Sequence, residues 1–260
     1  MTGELHARAH GPAWRITLNR PDRRNALTPA LAGEIANAVE EGGRTGAAAV
    51  LLEGAGGHFC AGLDLRWLAA LGAAPSPSEI RAGLEHFQAA ILAIVRAPIP
   101  VIALIRGSAA GFGVDLAVAC DLRLAGSTAT FTSAFARMGL VPDGGSTYGL
   151  PRLIGDGAAL RFLLTGEVVN AATAHRIGLV DELVDDAQLD ARAAALSAEL
   201  AGGAAGSISA IKRLCRADEI AGLERALRAE AEAQIEAFGG AEFQRRLTAF
   251  LSRTPESKPA

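Results

Sequence analysis

Residues 97–125 read APIPVIALIRGSAAGFGVDLAVACDLRLA. IPVIALI at 99–105 is a short run of apolar and β-branched residues, the pattern of a strand buried on both faces. The small-residue turn RGSAAG follows at 106–111, and the residues after it open a helix. The same succession stands upstream, where a strand near 48–53 leads into GHFCAGLDL at 57–65. A further strand is expected over 14–19, WRITLN. Between the strands lie helical patterns. Thr28 followed by Pro29 marks an N-cap with proline at the first helical position, and Leu31, Ile35 and Val39 recur at helical spacing. A second helix is expected from Ser78 to Val95, with Ile80, Leu84, Phe87, Ile91 and Ile94 on one face and Pro98 ending it. Strands alternating with helices over the first two-thirds of the chain predict an α/β fold.

From about Asp186 helical segments dominate. The segment Asp218 to Phe238 carries Ile220, Leu223, Leu227 and Ile235 on one face, with Glu224 and Arg228 one turn apart. That face must pack on the chain's own core or on a neighbouring subunit. The expected division is a core over 1–195 and a helical oligomerisation region over 196–260. GAAPSPS at 72–78 reads as a mobile loop.

The 260 residues are 50% hydrophobic and 20% charged, which is globular composition and not disorder. A net charge of −3 and 5% aromatics supply neither the field nor the stacking platforms of a nucleic-acid binder. The longest apolar stretch, near Pro98 to Ile105, is too short to span a bilayer, and MTGELHARAHGPAWR has no apolar run of signal-peptide type. Cys60, Cys120 and Cys215 are odd in number and form no CxxC, against a disulfide framework or a zinc site. The expectation is a cytoplasmic protein with no metal and no membrane or nucleic-acid partner.

Two strand–turn–helix units of this kind have a chemical use. The first amides of a helix lack intrahelical partners and stand at the positive end of its dipole. Two such turns on neighbouring strands can aim two N–H groups at one carbonyl oxygen, the requirement for an oxyanion hole. Taken alone, small residues at strand–helix turns equally serve tight packing. Gly111 and Gly113 also give part of a dinucleotide fingerprint, but Leu116 stands where its third glycine would be.

Several separated motifs together resemble the crotonase (enoyl-CoA hydratase/isomerase) family. LNRPDRRNAL at 18–27 resembles its first CoA-contacting segment, GHFCAGLDL its first oxyanion loop, and residues 97–125 the second loop with its flanking strands. GLVPDGGSTYGLPRLIG at 139–155, LTGEVVNAATAHRIGLVDELV at 164–184 and AFLSR at 249–253 continue the pattern. The resemblance implies a repeated ββα spiral core, an acyl-CoA thioester substrate, no cofactor beyond its CoA moiety, and a homotrimer or dimer of trimers. It implies oxyanion donors at the main-chain N–H groups of Leu63 and Phe112, the latter where the family often has glycine. It also implies CoA contacts at Arg23, Arg24, Ala26, Ala61, Asp64 and Leu65, and at Phe250 and Arg253 toward a neighbouring subunit's ligand. Lysine is common near that end of relatives, whereas this chain holds only Lys212 and Lys258.

Family hydratases hold a water between two glutamates. The first position matches Asp115, one methylene shorter, and the second matches Phe135, which transfers no proton. Asp143 in LVPDGG matches the aspartate of isomerase-type branches, where one carboxylate removes a proton from one carbon and returns it to another. An aspartate before Gly-Gly is otherwise a turn or cap residue, and Asp121 reads as structural. His58 reads as a hydrogen-bonding residue, Cys60 as packing, and Ser146 lacks a nucleophile-elbow context. The expected function is enoyl-CoA isomerisation with Asp143 as base and Asp115 as auxiliary. Hydration through Asp115 and Asp143, and a non-catalytic acyl-CoA-binding or scaffold role, are the alternatives.

Overall fold

A computed structural model describes residues 3–71 and 75–253, with the backbone alone at Arg253. Strand β1 (Leu5–His10) turns back on β2 (Ala13–Leu18), and a 3-10 turn at Pro21–Arg23 leads to α1 (Pro29–Arg44). Then come β3 (Ala49–Gly54), α2 (Leu65–Ala70), α3 (Pro77–Arg96), β4 (Val101–Ile105), β5 (Ser108–Ala110) and α4 (Phe112–Ala119). The middle of the chain forms β6 (Leu122–Gly126), β7 (Thr130–Thr132), α5 (Phe135–Met138), α6 (Ser146–Ile154) and α7 (Asp156–Thr165). It continues as β8 (Val168–Asn170), α8 (Ala171–Arg176) and β9 (Glu182–Val184), and ends in α9 (Leu189–Ala201), α10 (Ala205–Gly239) and α11 (Ala241–Arg253).

Six strands form one sheet in the order β1-β2-β3-β4-β6-β9, parallel except for the β1–β2 hairpin. A small sheet, β5-β7-β8, stands beside it. All five residues of β4 are buried, which is why VIALI runs apolar without alternation. Thr28 caps α1 by accepting a hydrogen bond from the Leu31 amide, with Pro29 beginning the helix. Ser76 and Glu79 form a capping box at the start of α3, one residue before the expected Ser78. The strand expected over 14–19 runs 13–18, that over 48–53 runs 49–54, and that over 99–105 starts after Pro100. β1 was not expected, since LHARAH has one large aliphatic residue and gains its place by pairing with β2.

The helix expected over 218–238 is the second half of α10, which begins at Ala205. Leu223 and Leu227 are buried against the chain's own core, so that face is not left for a neighbour. Each such leucine contributes about 2 kcal/mol relative to exposure. The expected division after residue 195 falls inside α9. Residues 72–74 of the expected mobile loop lie outside the described residues. Asp121 is structural, accepting from the Val101 amide (2.8 Å) and pairing with Lys212 (2.6 Å) and Arg216 (3.1 Å). Among the described residues, no single helix is long and apolar enough to cross a membrane.

Candidate active site

The two glycine-flanked loops meet main chain to main chain. The amides of Phe59 and Cys60 donate to the Ser108 carbonyl (3.1 and 3.2 Å), and the Ala110 amide donates to the Cys60 carbonyl (2.9 Å). Two glycines make the approach possible. At Gly62, with φ +81°, an added β-carbon would stand 2.8 Å from the Ala110 oxygen and 3.0 Å from the Phe112 nitrogen. At Gly113 it would stand 2.2 Å from the Cys60 oxygen. The groups around the two expected donors are engaged: Leu27 donates to Gly62 (2.7 Å), Asp64 to Leu27 (2.9 Å), and Gly111 to Thr132 (3.0 Å). Among the described residues the Leu63 and Phe112 amides find no main-chain acceptor, and both residues line one cavity. Phe112 is the first residue of α4, so its N–H also carries the dipole end of an eight-residue helix.

The first loop is held by the segment before it. Arg24 and Asn25 adopt left-handed φ of 50° and 57°, and Asn25 is fully buried. Its side chain accepts from the Arg20 amide (2.9 Å) and donates to the carbonyls of Ala55 (2.9 Å) and His58 (2.7 Å). The Ala61 amide donates to Arg24 (3.0 Å). Of the expected CoA contacts, Ala61 and Leu65 line the cavity, Ala26 and Asp64 are buried, and Arg23 and Arg24 are exposed. The Asp64 carboxylate is committed elsewhere. It caps α2 through the Arg66 and Trp67 amides and pairs with Arg20 at 2.8 Å. Arg20 and Asn25 escaped the sequence reading, although both lie in LNRPDRRNAL. Phe250, on α11, is not among the residues lining the cavity, and the Arg253 side chain and Lys258 lie outside the described residues.

His58 is a hydrogen-bonding residue, its Nδ1 taking the Ser108 amide (3.3 Å) and standing 3.1 Å from that residue's hydroxyl. Burial pushes the Cys60 thiol up to about 12, which removes it as a nucleophile. Lys212 is buried, donating to the Ile94 and Ile99 carbonyls (3.1 and 3.0 Å).

The cavity encloses about 380 Å³. Its walls are mainly apolar, with Trp67, Leu84, Phe87, Phe135, Met138 and Phe238 among them, and its polar side chains are Asp143, Gln234 and Glu79. Glu79 is exposed, and its bonds to Ser76 hold its carboxyl below the ordinary value, so it stays ionised. Asp143 is 7% exposed. Its Oδ2 accepts a hydrogen bond from Gln234 Nε2 (3.0 Å), while Oδ1 has no partner. Burial raises the Asp143 carboxyl to about 7; the Gln234 bond opposes that rise and the charge of Glu230 adds to it. A carboxyl with that value can both take up and release a proton near neutral pH.

Asp115, on α4, is 1% exposed and does not line the cavity. It stands behind Gly144, where an added β-carbon would be 2.5 Å from Asp115 Cβ and 2.7 Å from the edge of the Phe112 ring. Burial, then the charges of Asp143 and Glu230, push its carboxyl well above the ordinary range. Ser146 and the Gly144 amide lie near enough to oppose this, but neither carboxyl oxygen has a partner at hydrogen-bond geometry. The Phe112 ring also packs edge-on against Phe87, centroids 4.8 Å apart.

The C-terminal helices contribute two residues that sequence reasoning missed. Glu230 accepts from the amides of Gly145 (2.7 Å) and Thr147 (3.1 Å), meeting the free N-terminus of α6. Gln234, one turn on, accepts from the Val141 amide (3.0 Å) and donates to Asp143. A signal was present. Leu223, Leu227, Glu230 and Gln234 continue one stripe at spacings of four, three and four, which puts two polar residues where a buried face continues.

The sequence profile of the enoyl-CoA hydratase/isomerase family matches residues 11–257. A protein of Rhodobacter capsulatus named probable enoyl-CoA hydratase is 37% identical over 240 residues, 92% of this chain and 91% of its own length. The 1,2-epoxyphenylacetyl-CoA isomerase of Escherichia coli K12 is 33% identical over 244 residues, 93% of each chain. The crystal structure of enoyl-CoA hydratase from Bacillus halodurans superposes with a TM-score of 0.88 at 29% identity, covering 95% of this chain and 99% of that one.

Proposed function

Because the chain belongs to the enoyl-CoA hydratase/isomerase family, and so processes acyl-CoA thioesters, we propose that its reaction is isomerisation through a single base, Asp143. The thioester carbonyl sits between the Leu63 and Phe112 amides, and the acyl chain enters the apolar cavity. As the enolate forms, charge develops on the carbonyl oxygen where the two donors are already aimed. Asp143 takes a proton from one carbon through Oδ1, exchanges it with solvent, and delivers a proton to another carbon. The observation that carries this reading is the composition of the wall. Among the described residues Asp143 is the one buried carboxyl lining the cavity, and Phe135, which the resemblance matches to the hydratases' second glutamate, lines the same cavity with no group to transfer a proton. The relative named as an isomerase supports it.

Hydration is the competing reading, favoured by the name of the Rhodobacter capsulatus relative. It requires Asp115 to reach a water from behind Gly144. Turnover of a panel of enoyl-CoA isomers in ¹⁸O-labelled and in heavy water tests the choice. The expected product has a moved double bond, carries deuterium and holds no ¹⁸O. Incorporation of ¹⁸O would establish hydration, and binding with neither turnover nor exchange would establish the scaffold role.

The exposed guanidinium groups of Arg23 and Arg24 suit the CoA phosphates. On this reading Ala26 belongs to the same CoA-contacting turn, the main chain of Ala61, Asp64 and Leu65 would meet the adenine end, and Phe250 and Arg253 match the C-terminal positions that reach a neighbouring subunit's ligand. Three free cysteines, one of them exposed, suit the reducing cytoplasm. The assembly is a trimer or dimer of trimers. Leu160, Leu164 and Val168 are 56%, 71% and 63% exposed, an apolar patch of the kind subunits cover. Light scattering is expected to give a multiple of three chains, and a stable monomer at micromolar concentration would remove the shared site.

A further inference from the structure

We propose that Gln234 is a positioning residue that selects the Asp143 oxygen that moves the proton. The inference rests on Asp143 being the base and extends that reading to a helix outside the loops. Gln234 is 1% exposed and both ends of its amide are occupied. Its oxygen takes the Val141 N–H at 3.0 Å. That contact fixes which way the amide faces, since two N–H groups cannot bond each other, and it turns Nε2 toward Asp143 Oδ2 at 3.0 Å.

One carboxylate oxygen is thereby engaged. The other, Oδ1, is buried without a partner on a residue that lines the cavity, and it is the atom free to accept a proton. An amide is suited to the task because it donates to the carboxylate without titrating. Glu230, one turn earlier on the same face, holds Gly145 and Thr147, so one helix surface grips the base loop on both sides of Asp143. The titratable groups facing Asp143 are Glu230 from α10 and Asp115 from α4, both carboxyls. Of these neighbours, Gln234 alone donates a side-chain hydrogen bond that favours the Asp143 anion.

Gln234→Glu separates positioning from scaffolding. The glutamate still accepts from Val141 but, once ionised, no longer donates to Asp143. The expected result is a kcat lowered about ten- to a hundredfold, the scale of losing a hydrogen bond to a charged group, with KM within about twofold. The acid limb of the pH–rate profile should move upward from its midpoint near 7, and exchange of the substrate α-proton should slow in parallel. Gln234→Met, which removes both bonds, is expected to move the same quantities in the same direction. A folded Gln234→Met protein with wild-type kcat and limb would overturn the proposal, whatever happens to Gln234→Glu, whose buried carboxyl can keep its proton and still donate. If instead Asp143→Asn retains full α-proton exchange, it is the assignment of the base that fails, so the two failures are distinguishable.

Discussion

Asp143→Asn is expected to fold, bind acyl-CoA nearly as the wild type does, and lose about a hundredfold or more of its turnover, the scale of removing a positioned acid–base group. The amide keeps the shape and an oxygen for Gln234, and only the base is lost. Exchange of the substrate α-proton with heavy water should cease with it, because that step needs the base even when no product forms. Asp115→Asn is the comparison. With its carboxyl behind Gly144, the smaller loss is expected there; equal large losses would support a two-carboxylate mechanism.

The same substitution should stabilise the protein in alkali. Burial raises the Asp143 carboxyl to about 7 in the folded chain, above its ordinary value near 4. The folded state therefore favours the protonated form. Its contribution to stability is fully present below about pH 4 and is lost as pH rises through 7. Asp143→Asn, which never ionises, is expected to melt higher than wild type at pH 8 and to converge on it toward pH 4. Undiminished exchange in the variant, or an unchanged melting difference across that range, would remove Asp143 as a buried base.

Gly113→Val is expected to lower turnover by about 10²–10³, the range for losing one oxyanion donor. The added β-carbon meets the Cys60 carbonyl at 2.2 Å, and neither atom belongs to a flexible side chain. The collision drives the two loops apart and spoils the shared aim of Leu63 and Phe112. Gly111→Val reaches the same end by another route. With φ of 52° and ψ of −124°, residue 111 occupies backbone space that a β-branched residue enters only with strain. Replacing the side chains of Leu63 or Phe112 should reshape the cavity more than remove catalysis, since the donors are main-chain atoms. Glycine variants that fold and turn over at the wild-type rate would refute the oxyanion hole.

What the sequence made legible was local. VIALI had to be buried on both faces, Thr28-Pro29 had to start a helix, and the small residues of the two loops had to bring main chains together. Asp143 stood out through its motif as a candidate, and the structure has it lining the cavity. What escaped was decided at long range. Asn25 sits in a left-handed turn and serves as a bracket between Arg20, Ala55 and His58, which no local pattern announces. Strands β5, β7 and β8 have three residues each, too few for alternation to show. The first half of α10 was missed because AGSISAIKRLCRA carries little apolar periodicity. Its one buried residue is Lys212, held by the Ile94 and Ile99 carbonyls and by Asp121. Glu230 and Gln234 stood on a helix read for oligomerisation, and the loop they grip lies 83 to 93 residues earlier in the chain.

The grip of α10 also sets an order of events at the ribosome. Gln234 lies 91 residues after Asp143, so the proposed base and both glycine-flanked loops are synthesised well before the helix whose amide holds that carboxyl. Chains emerge N-terminus first and their early segments begin to fold as they do. A nascent chain halted short of α10 thus holds an aspartate with no amide to direct it and an α6 whose first amides lack their carboxylate. On the proposed mechanism enzymatic competence arrives with the last quarter of translation, and a fragment cut between α9 and α10 keeps every strand of both sheets while lacking the helix that bonds Asp143.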